Sequence, residues 1–375
     1  MKLLVLVGRG RNYVTHLQNP ELNWLGRSWG EVMTLSAGTG LGPFEIQVPI
    51  GAVAPTPVHR APITGPGAWR RCDFAGPADW SYRLKPETLA ELDQAIRCVR
   101  EKGKNISKLT AEDFPVPSFQ GDAAKLRREV LNGRGFVVIK GLPVDHYTEE
   151  EASMIYWGIG TFFGATLPQN VKGDRLYAVR DEGQNISRDY GAVGVRFSKT
   201  TVGLQFHTDS APMFQYHTPH IVALLALQTA KCGGSTALVS AQTLHNIILE
   251  ERPDCLERLY RSYHFDRRAE LKPGESPTLF APIFTFDGCL KIRHFPFYIH
   301  KAPEITGIAL TAADIEPLEF LDGVCQREEL AVTFDMEPGD MQFVSNTFIL
   351  HSRTAYEDYP EPERRRHLVR LWLEC

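Results

Sequence analysis

In Leu204-Gln205-Phe206-His207-Thr208-Asp209-Ser210, a histidine and an aspartate stand two residues apart at the end of a short apolar run. Alternate residues of an extended strand point to one face, so both side chains can grip one metal ion. A metal held this way needs a third, distant ligand, and the chain needs strands that bring that ligand back. A second H-x-D triplet, His264-Phe265-Asp266, competes with the first. It follows a helical stretch and precedes Arg267-Arg268, whose charges would pair with Asp266 and oppose a dication. His207 ends a strand and leads into the loop Ser210-Ala211-Pro212, which makes it the better ligand candidate.

Downstream of this stretch the chain reads as strands. Ile221 to Gln228 is a continuous apolar strand, followed by the turn Cys232-Gly233-Gly234 and a strand from Ser235 to Ser240. A helical excursion over 241–262 carries Leu244, Ile247, Ile248, Leu256 and Leu259. Phe284-Thr285-Phe286 before Asp287-Gly288 predicts a hairpin, and a helix begins at Thr311. Val332 to Met336 and Met341 to Val344, joined by Glu337-Pro338-Gly339-Asp340, predict a further hairpin, and the last strand is His367 to Leu373. Upstream, helices are predicted from Pro86 to Gly103, over 122–132, and from the capping box Thr148-Glu149-Glu150-Glu151 to near Gly164. Gly135 to Gly141 encloses a buried strand. Helices first, then many strands with helical excursions, predict an α+β, mainly β architecture. Its core is a double-stranded β-helix (a jelly roll, cupin-like) braced by helices. Residues 1–55 read as a leader or irregular N-terminal arm, and 56–375 as a single domain.

Bulk properties exclude several function classes. The chain has 375 residues, 43% hydrophobic and 23% charged, with a net charge of −4. Nothing in that balance favours nucleic acid or an anionic membrane as partner. The seven cysteines are scattered and form no C-x-x-C, which argues against a disulfide framework and for a reducing compartment. No apolar run of about 18 residues spans a membrane. The expected location is the cytoplasm, or the mitochondrion if residues 1–55 are a transit peptide; a homo-oligomer is compatible with either.

Two histidines and a carboxylate on one face of an octahedral ion leave three positions open, the arrangement of non-haem Fe(II) oxygenases. His351, at the end of the apolar run Phe343 to Leu350, is the candidate third ligand. Oxygen activation at such an iron takes electrons from 2-oxoglutarate, whose far carboxylate needs a fixed cation, best a guanidinium. Arg366 lies fifteen residues beyond His351 and shares a strand face with Leu368, Arg370 and Trp372; His367, Val369, Leu371 and Leu373 share the other. An inward arginine in an apolar strand is costly unless a carboxylate meets it. Thr236, after Gly233-Gly234, offers a hydroxyl to the same carboxylate. In the loop Pro168-Gln169-Asn170, Asn170 is a candidate substrate contact, with a local turn role as the alternative. Phe214, Tyr216, Phe295, Phe297 and Tyr298 are candidates for an aromatic pocket, and Gln184 to Ser198 for a lid.

Phe206-His207-Thr208-Asp209, Gly233-Gly234-Ser235-Thr236, and His351-Ser352-Arg353-Thr354-Ala355 through Arg366 to Leu373 resemble the taurine dioxygenase-like (TauD/TfdA-like) Fe(II)/2-oxoglutarate oxygenases. The resemblance runs from about residue 60 to the C-terminus. It implies a jelly-roll core, iron on His207, Asp209 and His351, the C5 carboxylate of 2-oxoglutarate on Thr236 and Arg366, and Arg370 at the cosubstrate or substrate. It further implies O2 as oxidant and a small-molecule substrate that is hydroxylated, desaturated or cyclised, with succinate and CO2 released. Halogenating relatives lack the carboxylate that Asp209 supplies, so oxygen chemistry is expected. The Gly-Gly turn lacks the aspartate usual before the threonine, and residues 1–55 have no counterpart. The competing reading from another class is a non-catalytic jelly roll that captures a small ligand.

Overall fold

The computed structural model describes residues 52–375 except 191, 193, 213–217, 269–270 and 272–273, together with the backbone of four strands before them. Residues 1–52 form a unit of their own, in which Lys2–Gly8 pairs with Arg11–Leu17 and Met33–Leu35 with Phe44–Ile46. The expectations for a leader or transit peptide fall mostly outside the described residues.

Residues 53–375 build two facing sheets. The larger has the order Ser81–Arg83, Phe136–Lys140, Met341–Ser345, Ile221–Gln228, His367–Glu374 and Ala165–Thr166, with Tyr177–Val179 also pairing the His367–Glu374 strand. The smaller has the order Val332–Phe334, Thr236–Ser240, Ile349–Arg353 and Leu204–His207. Apart from the parallel pair Ser81–Arg83 and Phe136–Lys140, these neighbours run antiparallel. This is the jelly roll that the strand pattern predicts.

The period of two decides which side chains meet the helices. Val137 and Ile139, Met341 and Phe343, Ile221, Ala223 and Leu225, and Val369, Leu371 and Leu373 share one cluster with Leu92, Ile96, Phe119, Ile155 and Ile159. Those last five lie on the helices Pro86–Glu101, Pro117–Asn132 and Glu149–Thr161. The intervening residues Phe136, Val138 and Val344 join a different cluster. The third helix starts at the expected capping box: Thr148 Oγ1 accepts the Glu151 N–H at 3.2 Å, and Glu151 accepts the Thr148 N–H at 2.9 Å. The second begins at Pro117 rather than near Asp122, because proline at the first helical position costs no hydrogen bond. The 241–262 excursion divides into Ala241–Glu251 and Pro253–Leu259, broken before Pro253.

Two local expectations are corrected. Val332–Phe334 and Met341–Ser345 do not pair as a hairpin: the first joins the smaller sheet and the second the larger. The intervening turn carries the chain between sheets. It is pinned where the Gly339 N–H donates to Ala226 O at 2.7 Å, with φ at +90° and a Cβ at that position running into Leu142 O. The apolar run from Phe343 to Leu350 is likewise two strands. Asn346-Thr347-Phe348 crosses back to the smaller sheet, and this second crossing delivers His351 to its site.

Candidate active site

Register brings the histidines together. His351 is the cross-strand partner of His207 on one side and of Leu238 on the other, and the two imidazole centroids lie 4.3 Å apart. Asp209 is not on the strand, which ends at His207; it sits in the turn that follows. Asn346, in the crossing before His351, fixes that turn: its Oδ1 accepts the Asp209 N–H at 2.8 Å, and its Nδ2 donates to Asp209 O at 3.1 Å. The Thr208 N–H donates to His294 O at 2.8 Å, and the His294 N–H to Thr208 Oγ1 at 3.0 Å. Ser210 is held at φ +63°.

One nitrogen or oxygen from each of His207, Asp209 and His351 lies within 4.8 Å of the others. Asp209 Oδ1 is 3.5 Å from His207 Nε2 and 3.7 Å from His351 Nε2. His207 Nδ1 is 2.8 Å from Gln205 O. Donation of the Nδ1 proton there leaves Nε2 bare, the tautomer that a metal ligand requires. Burial, and next the neighbouring His351, push the His207 pKa down to about 4, so the ring is neutral at pH 7. Burial alone would raise Asp209, but Arg370 and the two imidazoles hold it well below the usual carboxylate range. Its second oxygen, Oδ2, accepts Trp372 Nε1–H at 2.8 Å and lies 3.0 Å from Arg370 Nη1. One oxygen is therefore occupied from behind while the other faces the histidines. This donor set fits a divalent iron.

The competing triplet is used structurally. His264 Nδ1 is 3.0 Å from Thr278 Oγ1, while Asp266 accepts the Arg268 N–H at 2.6 Å and the Tyr190 hydroxyl.

On one side of the triad lies a chamber lined by Val222, Leu224, Thr236, Gln342, Arg353 and Arg366. Arg366 is buried, with its guanidinium carbon 4.9 Å from the Tyr356 ring centre and its Nη1 without a hydrogen-bond partner. Burial lowers its pKa. A buried guanidinium nitrogen with nothing to donate to fits a carboxylate guest. Sequence reading missed Arg353, which lines the same chamber; its Nη2 donates to Thr200 O at 3.0 Å, and burial and then Arg366 lower its pKa to about 10. On the other side of the triad, Phe197, Ser198, Ser210, Arg268, Phe295 and Tyr298 line a second chamber. Arg370 borders both.

The remaining sequence candidates fall as follows. Asn170 is absent from both linings: its Nδ2 donates to Asp174 at 2.7 Å and its Oδ1 accepts the Lys172 N–H at 3.0 Å, a local turn. Its neighbour Gln169 reaches inward instead. Fully buried, it accepts Arg370 Nε–H at 2.7 Å and donates to Arg370 O at 2.8 Å. Phe295 and Tyr298 line the second chamber, while Phe297 packs on Phe197 and Tyr190. Phe214 and Tyr216 lie outside the described residues. Of the expected lid, Arg196, Phe197 and Ser198 border the second chamber. Among the described residues no helix is long and apolar enough to cross a membrane.

The same fold occurs in solved structures of oxygenases. An asparagine oxygenase in complex with Fe(II), 2S,3S-3-hydroxyasparagine and succinate superposes with a TM-score of 0.60 at 16% identity, covering 78% of this chain and 93% of that one. The non-heme iron oxygenase OrfP in complex with Fe and alpha-ketoglutaric acid gives 0.57 at 14% identity over 78% and 93%. At such identities the likeness is one of fold. In sequence, the chain is 29% identical to FR-33289 synthase of Streptomyces rubellomurinus over 84% of its length and 91% of that protein. It is 28% identical to the taurine hydroxylase-like protein SAT17 of Stachybotrys chartarum over 81% and 77%. The family model for taurine catabolism dioxygenases matches residues 102–372, the span that carries His207, Asp209, His351, Arg366 and Arg370. The chain therefore belongs to the taurine catabolism dioxygenase TauD, TfdA family and is a non-haem Fe(II)- and 2-oxoglutarate-dependent dioxygenase.

Proposed function

We propose that His207, Asp209 and His351 hold the Fe(II) and that Thr236 and Arg366 receive the C5 carboxylate of 2-oxoglutarate. The organic substrate is a small molecule oxidised from the aromatic chamber of Phe197, Phe295 and Tyr298. The observation that carries this reading is a pairing across one cavity: three ligand atoms within 4.8 Å, and a buried Arg366 Nη1 without a partner. Iron, 2-oxoglutarate and O2 bound there supply the oxidising chemistry, with succinate and CO2 as co-products. The chain's own residues orient and shield it. Gln205 O fixes the His207 tautomer, and Trp372 and Arg370 turn one oxygen of Asp209 inward. Gln169 holds Arg370 in place, so Arg370 stands between cosubstrate and substrate with its Nε already committed.

Anaerobic addition of Fe(II) and 2-oxoglutarate should give a weak visible metal-to-ligand absorbance, and aerobic incubation should release succinate. A wild-type protein that shows no such band does not bind iron and cosubstrate in this way. Trp372→Phe replaces the indole with a smaller aromatic ring and deletes the N–H that Asp209 Oδ2 accepts. Outer-sphere losses of this kind cost roughly 10–100-fold in metal affinity. Iron titration of Trp372→Phe should show a shift of that size, with 2-oxoglutarate affinity at saturating iron nearly unchanged.

A further inference from the structure

One buried polar group of the cosubstrate chamber has no task in the assignment above. Gln342 lies within the strand Met341–Ser345, in register with Val138 on one side and Leu224 on the other. It is 1% exposed, lines the chamber, and its Oε1 has no hydrogen-bond partner. Amide oxygen and nitrogen exchange places by a half-turn of the last torsion, so the unpaired end of the carboxamide can equally be its N–H. Burying it unpaired forfeits its bonds to water. The strand's other face needs no such group, since Met341 and Phe343 pack there against the helices.

Register says which end of the chamber it serves. Gln342 and Arg370 are both cross-strand partners of Leu224, so the three form one row across the inner face of the larger sheet. Arg366 lies four residues before Arg370, roughly 13 Å away along an extended chain. Gln342 therefore stands level with Arg370 and Asp209, at the metal end, and not beside Arg366 and Thr236. We propose that Gln342 donates its amide N–H to the C1 carboxylate of the cosubstrate, the one beside the 2-oxo group, and so selects for a 2-oxo acid. The inference rests on the iron and cosubstrate assignment given above. A neutral donor suits this position: Arg353, Arg366 and Arg370 already border the chamber, and a further cation would compete with the metal for the same carboxylate.

Succinate separates this role from simple shaping of the chamber, because it keeps the far carboxylate but lacks the 2-oxo acid head. In the Fe(II)-loaded full-length protein under anaerobic conditions, 2-oxoglutarate is titrated by its visible band, and succinate by its displacement of that band. Gln342→Leu should raise the Kd for 2-oxoglutarate roughly tenfold while changing that for succinate less than about twofold, the signature of one lost hydrogen bond to a charged group. Gln342→Glu, similar in shape but anionic, should weaken 2-oxoglutarate further. The thermal midpoint of metal-free Gln342→Leu should match or exceed wild type, since an unpaired buried amide is removed. Wild-type 2-oxoglutarate affinity in Gln342→Leu, or an equal loss for succinate, overturns the proposal. A missing band in wild type would instead strike at the iron reading itself.

Discussion

His207→Ala is expected to lose both the Fe(II)–2-oxoglutarate absorbance and succinate release. The imidazole is 3% exposed and packs between His351 at 4.3 Å and Phe295 at 4.8 Å. Among the described residues no other histidine, cysteine or carboxylate joins this cluster, and the Gln205 carbonyl that oriented the ring is left with nothing to hold. Loss of an outer-sphere partner already costs roughly 10–100-fold in metal affinity or activity, and loss of a direct ligand should cost more. Succinate release is therefore expected to fall by more than about 100-fold. Free imidazole should restore part of the band, because the substitution leaves a ring-sized gap beside two intact ligands. A circular dichroism spectrum like wild type would show that the fold survives. A variant that kept the wild-type band would mean that iron, if bound, sits elsewhere.

The candidate iron ligands and the inward arginine are legible in the sequence because chemistry constrains them locally. A ligand pair needs a two-residue spacing, and an inward arginine in an apolar strand needs a reason. Helix starts were legible for a similar cause: Thr148 and Glu151 satisfy each other's backbone within one turn. What stayed hidden was tertiary. The pattern around Glu337-Pro338-Gly339-Asp340 shows two strands and a tight turn, but not that the turn crosses between sheets; that depends on Gly339 meeting Ala226 and Leu142. For Asn170 the sequence leaves both a substrate contact and a local turn open; its amide closes the turn, and Gln169 supplies the inward group. For Arg370, spacing points to cosubstrate or substrate but does not show that its Nη1 lies 3.0 Å from Asp209, a contact between the last strand of the larger sheet and the turn after Leu204–His207 of the smaller. Gln342 is one polar residue in an apolar run, and the sequence does not say which face the chamber takes.

Arg366→Met should move two quantities in opposite directions. The guanidinium is buried, its Nη1 has no partner, and burial lowers its pKa. A buried cation with an unpaired nitrogen opposes folding, so the metal- and cosubstrate-free variant should melt at or above the wild-type midpoint. Methionine keeps a flexible apolar stem against Tyr356 and adds no polar group. Cosubstrate binding should collapse. Breaking a buried, hydrogen-bonded charge pair typically costs about 3–5 kcal/mol, which corresponds to a roughly 150- to 5,000-fold rise in the Kd for 2-oxoglutarate. Succinate should suffer alike, since both diacids present the same far carboxylate. Ligand-induced stabilisation gives an independent readout, because a ligand that binds only the folded state raises the midpoint according to its concentration over Kd. With Fe(II) present and O2 excluded, 2-oxoglutarate at about 100 times the wild-type Kd adds about 2.7 kcal/mol to the wild type and little to the variant. Arg366→Lys should fall between the two, retaining the charge but losing the bidentate fork. If Arg366→Met destabilised the ligand-free protein and left cosubstrate binding intact, Arg366 would be a packing residue and the far carboxylate would have another host.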